Sequence, residues 1–199
     1  MDPGTGRGRP LRIVARGGAA RGYRLLILRL VIGTLFIGHG TQKLFGWWNG
    51  GGPVGTARFF DEVGFRPAPP LVIVAGLTET GGGSLILLGL VTSLGAAAVI
   101  GVMTAAGIVV HLPNGLWNTK GGIELPLVNA AAVAALAFSG PGRYSVDRLI
   151  GWHLRGSGWG LAATVLGLAA GLAMAGWQHA QTGGAHVPEA ELDQPRRAA

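Results

Sequence analysis

The sequence predicts an all-α integral membrane protein: a four-helix bundle with an additional C-terminal fifth transmembrane helix. Five apolar stretches, several of them long enough to cross a hydrocarbon layer of about 30 Å as helices, are the first observation. The second is composition, because only 13% of the 199 residues are charged, against about 25% in ordinary soluble domains. The third is that most of these charges lie outside the apolar stretches.

The apolar stretches follow one another with plausible ends for membrane helices. Trp47 and Trp48 precede a glycine run, which ends the first helix at an interface where tryptophan is favoured. A short amphipathic segment at 54–66 is expected to lie on the membrane. Pro126 fits the first turn of the fourth helix, which is short. The five predicted helices span approximately 24–45, 71–90, 94–112, 124–138 and 158–177.

Four segments divide the chain. Residues 1–23 are rich in Gly, Arg and Pro and are predicted to form a disordered, basic, cytoplasmic arm. Residues 24–150 form the four-helix membrane domain, residues 151–178 a polar linker with the fifth helix, and residues 179–199 a disordered tail. The motif Gly167-x-x-x-Gly171 offers a close-packing face, either for a homo-oligomer or for the fourth helix of the same chain.

The distribution of positive charge predicts the orientation. Arginines gather before the first helix and between the fourth and fifth helices, which places the N-terminus in the cytoplasm of a cell with an inner (plasma) membrane. They are Arg7, Arg9, Arg12, Arg16, Arg21, Arg24, Arg143, Arg148 and Arg155. The net charge of +7 is therefore attributed to topology and anionic lipid rather than to nucleic acid. The absence of cysteine excludes disulfides and thiol chemistry.

Four charged or titratable residues lie within the first two apolar stretches. Arg29, His39 and Lys43 share an arc of roughly 80° on the first helix. Glu79 lies near the middle of the second helix, where a charge is costly and usually marks a site. Glu79 is predicted to exchange a proton as a catalytic group, with His39 as its hydrogen-bonding partner or as a donor to a quinone carbonyl. Lys43 and Arg29 would supply positive charge to an anionic substrate or semiquinone.

Three further polar residues are predicted at the outer ends of the third and fourth helices. His111, Asn114 and Glu124 would form the substrate-binding outer mouth of one outward-opening cavity. Structural alternatives stand beside these roles. The histidines would then be packing residues, and Glu124 a carboxylate favoured by the helix dipole.

The long side chains have structural alternatives as well. Arg29 and Lys43 would snorkel to the head groups, whereas Glu79 is too deep to do so and would be neutral or paired with Arg29 or Lys43. No spacing typical of a metal site occurs, and ligation of haem by His39 and His111 is not favoured.

The chain resembles the DoxX family of small bacterial membrane proteins over roughly residues 24–150. The second helix carries the stretch Gly-Leu-Thr-Glu-Thr-Gly-Gly around Glu79, and four other stretches follow in the family's order. The five matching stretches are 29–46, 76–82, 111–115, 121–127 and 140–147. The C-terminal extension with the fifth helix and the long arginine-rich arm depart from the family's pattern.

The resemblance implies a four-helix membrane bundle and an association with redox complexes. Relatives are linked to thiosulfate:quinone oxidoreductase, to terminal oxidases and to a mycobacterial membrane complex that handles oxidative and thiol stress. The leading hypothesis is therefore a membrane subunit of a redox assembly that interacts with quinone or a small sulfur compound. The alternatives are a non-catalytic scaffold for a soluble redox enzyme and a small-solute transporter, although no internal repeat or broken helix supports the transporter.

Overall fold

A computed structural model describes residues 11–152 and 154–183, and within these residues the secondary structure is helical without any strand. The α-helices are α1 (Leu11–Phe45), α2 (Gly52–Glu62), α3 (Ala68–Leu88), α4 (Thr92–Ala106), α5 (Glu124–Ser139), α6 (Val146–Leu149) and α7 (Ser157–Gly183). The helix α4 continues through a π-helical turn, Gly107–His111, and a 3-10 turn, Leu112–Asn114. A second 3-10 turn covers Asn118–Lys120.

Four helical segments have the length and hydropathy of membrane spans: Ala20–Phe45, Ala68–Leu88, Thr92–Asn114 and Ser157–Gly183. The helix α5 is apolar but shorter, with 16 residues and a length of about 24 Å. The predicted all-α class and the additional C-terminal helix are therefore confirmed, and the chain is a multi-pass membrane protein.

The two outermost boundaries differ from the prediction. The helix α1 begins at Leu11, so residues 11–23 are helical and lead into the membrane span, Ala20–Phe45, instead of forming a disordered arm. Alanine and arginine are good helix formers and offset the three glycines of this segment. The helix α7 extends to Gly183, beyond the expected end at 178. Residues 1–10 and 184–199, which include the rest of the predicted arm and tail, lie outside the described residues.

The helices α1 and α3 run antiparallel with their backbones in close contact at two pairs of glycines. A Cβ atom added to Gly33 would lie 2.8 Å from the carbonyl oxygen of Gly83, and the reverse distance is also 2.8 Å. One heptad along each helix, a Cβ on Gly40 would lie 2.6 Å from the carbonyl oxygen of Gly76. We call these contacts the glycine seam. Small residues allow membrane helices to approach closely, and the seam fixes the register of α1 against α3.

The helix α7 packs against α4 through its own small residues. A Cβ added to Gly167 would lie 2.7 Å from the carbonyl oxygen of Ala97, and one added to Gly171 would lie 2.6 Å from that of Gly101. We expected this face to serve a homo-oligomer or to pack on the fourth predicted helix, which is α5. That expectation is corrected, because the face packs on α4, the third predicted helix. It is buried within the subunit.

The far end of α7 contacts the segment that follows α2. The side-chain amide of Gln178 donates to the carbonyl oxygen of Val63 at 2.7 Å, and that of Gln181 donates to the carbonyl oxygen of Arg66 at 2.8 Å. The end of α7 and the α2–α3 connection therefore lie at the same end of the bundle. The opposite end holds the α3–α4 turn, α6 and the start of α7.

At that opposite end, Arg29 joins α1 to the end of α3 and to the connection between α5 and α6. Its side chain is 2% exposed, and its guanidinium donates four hydrogen bonds to main-chain carbonyl oxygens. The acceptors are Ile86, Leu87, Pro141 and Tyr144, at 2.9, 2.8, 2.7 and 2.6 Å. The carbonyl oxygen of Ile86 also accepts from the main-chain N–H of Gly89 at 3.1 Å. A cation is favoured at this position because the carbonyl end of a helix carries partial negative charge.

Asp147, at the start of α6, binds the α3–α4 turn at the same end of the bundle. Its side chain is fully buried, and its carboxylate accepts a hydrogen bond from the main-chain N–H of Val91 at 2.9 Å. Its own N–H donates to the carbonyl oxygen of Gly89 at 3.1 Å. Val91 adopts a left-handed conformation with φ of 42°, which is unfavourable for a β-branched residue. Asp147 thus stabilises a strained α3–α4 turn.

Single-cysteine labelling tests the arrangement of the two ends, since the cysteine-free chain gives no background. We expect Arg58→Cys in α2 and Gly183→Cys at the end of α7 to react with an impermeant maleimide from one side of the membrane. We expect Arg148→Cys to react only from the other side. Labelling of Gly183→Cys from the same side as Arg148→Cys would contradict a fifth crossing.

Replacing Arg29 tests its structural role. Hydrogen bonds to a charged group contribute roughly 1.5–3 kcal/mol each, so we expect Arg29→Met to lower the free energy of unfolding in micelles by about 3 kcal/mol or more. Arg29→Lys should recover only part of this loss, because an ammonium cannot reproduce the fork of donors. Arg24→Met is the control, since Arg24 is exposed and bonds only within its own helix, to the carbonyl of Ala20. Wild-type stability of Arg29→Met would refute this role.

Candidate functional site

Lys43 and Glu79 form an ion pair between α1 and α3. The ammonium nitrogen of Lys43 lies 2.6 Å from a carboxylate oxygen of Glu79. The Glu79 side chain is 4% exposed and that of Lys43 is 22% exposed. Each residue follows a glycine of the seam by three positions, Gly40 in α1 and Gly76 in α3. The close approach of the two backbones therefore brings the two charges together.

The depth of the pair makes it unusual. Glu79 is eleven residues beyond Ala68, the first residue of α3, which corresponds to about 16 Å along the helix and roughly half of a hydrocarbon layer. A single charge at this depth is costly, and pairing with an opposite charge offsets the cost. Of the two cations expected as alternatives, Lys43 is the one that pairs with Glu79, and Arg29 lies about two helical turns away along α3.

A cavity of about 390 Å³ lies beside Lys43, between the end of α1 and α2. Lys43 lines this cavity, whereas Glu79 lies behind it. The lining residues are Gln42, Lys43, Asn49, Gly50, Gly51, Gly55, Thr56, Phe59 and Phe60. The Gln42 side chain also donates to the carbonyl oxygen of Trp48 at 3.3 Å, which ties the connecting loop to α1. The cavity thus combines amide, hydroxyl and ammonium donors with two aromatic rings.

His39 does not take the position that the sequence suggests. It is exposed, its Nδ1 atom lies 3.2 Å from the side-chain oxygen of Gln42, and its ring packs edge-on at 6.3 Å from Phe36. Within the described residues no hydrogen bond joins His39 to Glu79, so that expected contact is corrected. The spacing of four residues places His39 beside Lys43 on α1, but its ring contacts Gln42 and Phe36 of the same helix.

The predicted outer mouth is a separate feature that orders the α4–α5 connection. The Nδ1 atom of His111 lies 2.8 Å from the carbonyl oxygen of Gly121, and the carboxylate of Glu124 accepts from the N–H of Asn118 at 2.9 Å. The amide of Asn114 donates to the carbonyl oxygen of Val110 at 3.1 Å. These residues lie at the same end of the bundle as the Lys43 cavity, but they do not line it.

The expectation that one cavity collects most of the polar constellation is therefore wrong. Of the seven predicted site residues, Lys43 alone lines the cavity within the described chain, and Glu79 is reached through Lys43. Arg29 is bound to carbonyl groups at the other end of the bundle. Among the described residues, no group of three or more His, Cys, Asp or Glu side chains is arranged to hold a metal ion.

Sequence reasoning missed Asp147 and the residues of the α1–α2 loop. Asp147 is the only acidic residue between 140 and 157, in a segment otherwise rich in arginine. That isolation could have indicated a structural carboxylate. The cavity residues Asn49, Thr56 and Phe59 have no comparable feature, because a loop and a surface helix give little periodic pattern.

Comparison with known proteins gives the same family as the sequence stretches. The DoxX family model matches residues 24–112, which include the glycine seam and the Lys43–Glu79 pair. No solved structure matches the chain.

Three similar proteins illustrate the relationship. The inner membrane protein YphA of Escherichia coli is 32% identical over 66% of this chain and 93% of its own length. The inner membrane protein YqjF of the same organism is 31% identical over 63% and 91%. An uncharacterised membrane protein of Mycobacterium tuberculosis is 28% identical over 62% and 79%. Because the family model and relatives matched over nearly their whole length agree, this chain belongs to the DoxX family of membrane proteins.

Proposed function

We propose that this protein is a membrane subunit of a redox assembly, in which the cavity beside Lys43 binds a quinone head group or a small sulfur oxyanion. The observation that carries the proposal is the buried Lys43–Glu79 pair, which meets the cavity through its more exposed partner. Intramembrane ionisable residues that face a bundle interior typically belong to substrate or proton pathways.

Competition for the Lys43 ammonium is the central step of the proposal. A ligand oxygen that accepts a hydrogen bond from Lys43 weakens the contact between Lys43 and Glu79. A buried carboxylate that loses its cationic partner favours the neutral form. Ligand binding is therefore coupled to proton uptake by Glu79, and ligand release is coupled to proton loss. In this way Glu79 keeps its predicted proton-exchanging role without a contact to His39.

The cavity suits either ligand class. Its volume of about 390 Å³ falls within the range of small-molecule sites, about 300–1,000 Å³. Phe59 and Phe60 offer apolar surface to a quinone ring, and Lys43, Gln42 and Asn49 offer donors to ring carbonyls or to oxyanion oxygens. When bound, a quinone would supply the acceptor for electrons that a partner protein delivers. This chain's own residues bind the ligand and move the proton.

The orientation of the site follows from the arginine distribution. We place the N-terminus in the cytoplasm, since nine arginines lie either among the first 24 residues or between α5 and α7. The Lys43 cavity then opens toward the outer face. The redox partner would be another membrane subunit or a soluble redox protein on that face.

A second candidate function is a non-catalytic scaffold for a soluble redox enzyme. It is favoured by the mutual neutralisation of Lys43 and Glu79, because a satisfied pair can be purely structural. In that case charge changes on the surface segments 54–66 or 143–157 would disrupt the assembly more than any change at Glu79.

Calorimetric titration of the purified protein in nanodiscs tests the redox proposal, with a short-chain benzoquinone and thiosulfate as the probes. We expect Lys43→Met to weaken binding at least about tenfold, or ~1.4 kcal/mol. We expect Glu79→Gln to abolish the proton uptake that accompanies binding, measured as the dependence of the binding heat on the buffer's ionisation enthalpy. Glu62→Gln, an exposed change on α2, is the matched control.

The double variant Lys43→Met/Glu79→Met separates folding from binding. Replacing both members of a buried ion pair by apolar residues is often close to neutral for stability. Replacing only one member leaves an unpaired buried charge, which is strongly destabilising. We expect the double variant to unfold like the wild type and to bind neither probe. Unchanged binding by a folded double variant would overturn the proposal. Failure of the wild type to bind either probe would favour the scaffold.

A further inference from the structure

We infer that the protein has a second binding site, a basic cavity at the end of the bundle opposite the Lys43 cavity, which takes the phosphate group of an anionic phospholipid. This inference does not depend on the proposed redox function. The cavity has a volume of about 780 Å³ and lies between the start of α1, the end of α5 and the connection to α7. We call it the arginine cavity.

Positive charge dominates the lining of the arginine cavity. Arg21 comes from α1, and Arg143, Arg148 and Arg155 come from the α5–α7 connection. No acidic residue is among the described lining residues. The neighbouring carboxylate of Asp147 is fully buried and directed to the N–H of Val91, so it does not neutralise them.

These arginines differ from Arg29 and Arg66 in their partners. Arg29 is saturated with carbonyl acceptors, and Arg66 lies 3.6 Å from the carboxylate of Asp61. In residues 11–152 and 154–183, no carboxylate lies within 4.0 Å of the guanidinium groups that line the arginine cavity, and none of these groups makes a side-chain hydrogen bond within the protein. Guanidinium groups bind phosphate through paired hydrogen bonds, and the two unesterified oxygens of a phosphate diester can accept them from any of the four.

The rim of the cavity indicates that the phosphate belongs to a lipid. Three apolar residues of the connection are exposed although they lie outside the membrane spans: Leu149 at 86%, Ile150 at 50% and Trp152 at 50%. Trp152 also lines the cavity. Tryptophan and aliphatic side chains beside arginines are typical of a segment at the level of the head groups. The acyl chains of a bound lipid would extend along these residues.

The wall of the cavity is already fixed without a ligand. The carbonyl oxygen of Pro141, a lining residue, accepts a hydrogen bond from buried Arg29 at 2.7 Å. The neighbouring Gly142 has φ of 86° and packs against Leu25 of α1. Preorganisation of this kind reduces the ordering cost of binding, and basic pockets between membrane helices are a known mode of lipid recognition.

Native mass spectrometry of the full-length protein tests the inference, with micelles that contain equal amounts of phosphatidylglycerol and phosphatidylcholine. We expect the wild type to retain phosphatidylglycerol in preference to phosphatidylcholine. We expect Arg143→Gln/Arg148→Gln to reduce that retention about tenfold. Arg58→Gln/Lys120→Gln removes the same charge at the opposite end of the bundle and should retain the lipid like the wild type.

Two further arms identify the source of the phosphate and guard against misfolding. Retention of phosphatidylglycerol in millimolar inorganic phosphate supports the lipid, whereas displacement by inorganic phosphate would overturn it in favour of a soluble anion. The single variant Arg155→Gln, at an exposed position, should lower retention without changing the unfolding temperature. Equal retention of both lipids by the wild type, or undiminished retention by folded Arg143→Gln/Arg148→Gln, would refute the site.

Discussion

The contact between α1 and α3 is the constraint on which the other polar features depend. A membrane interior offers no water, so every buried polar group must find its partner within the protein. The glycine seam brings the two backbones together, and at each end of it a cation from α1 reaches α3. Arg29 binds the carbonyl oxygens of Ile86 and Leu87 at one end, and Lys43 binds the carboxylate of Glu79 at the other. Without the close approach, both side chains of α1 would lose their partners on α3.

The two cations differ in what they leave available. Arg29 donates its hydrogen bonds to carbonyl groups, which cannot change charge. Lys43 binds a carboxylate, which can be protonated, and it lies beside a cavity. The Arg29 end of α1 therefore has a structural role, while the Lys43 end combines a carboxylate with a cavity that a ligand can enter. This contrast is the reason for placing the proposed ligand beside Lys43 and for assigning Arg29 to the architecture.

Sequence reasoning succeeded where depth alone determines the outcome. Apolar length predicts the spans, and a carboxylate as deep as Glu79 must be neutral or paired, which anticipates Lys43. The direction in which a side chain points could not be predicted in the same way. The partners of Arg29 lie 57 to 115 residues away in the chain, and they are main-chain carbonyl groups, which leave no mark in side-chain patterns. For His39, the helical arc gives a position but not which of two neighbouring surfaces the ring meets. The cavity depends on a loop and on α2, whose placement follows from tertiary packing.

The glycine seam also limits how this protein can move. Its contacts recur one heptad apart on both helices, so a shift of α3 along α1 would drive side chains such as Leu87 and Thr80 into the opposing backbone. Sliding of these two helices is therefore closed as a route to the buried carboxylate. The loop between α1 and α2 is packed on α1 as well, since a Cβ added to Gly50 would lie 2.6 Å from the carbonyl oxygen of Gln42. The approach to Glu79 that the helix packing leaves open runs past the side chain of Lys43, which lines the cavity and pairs with the carboxylate.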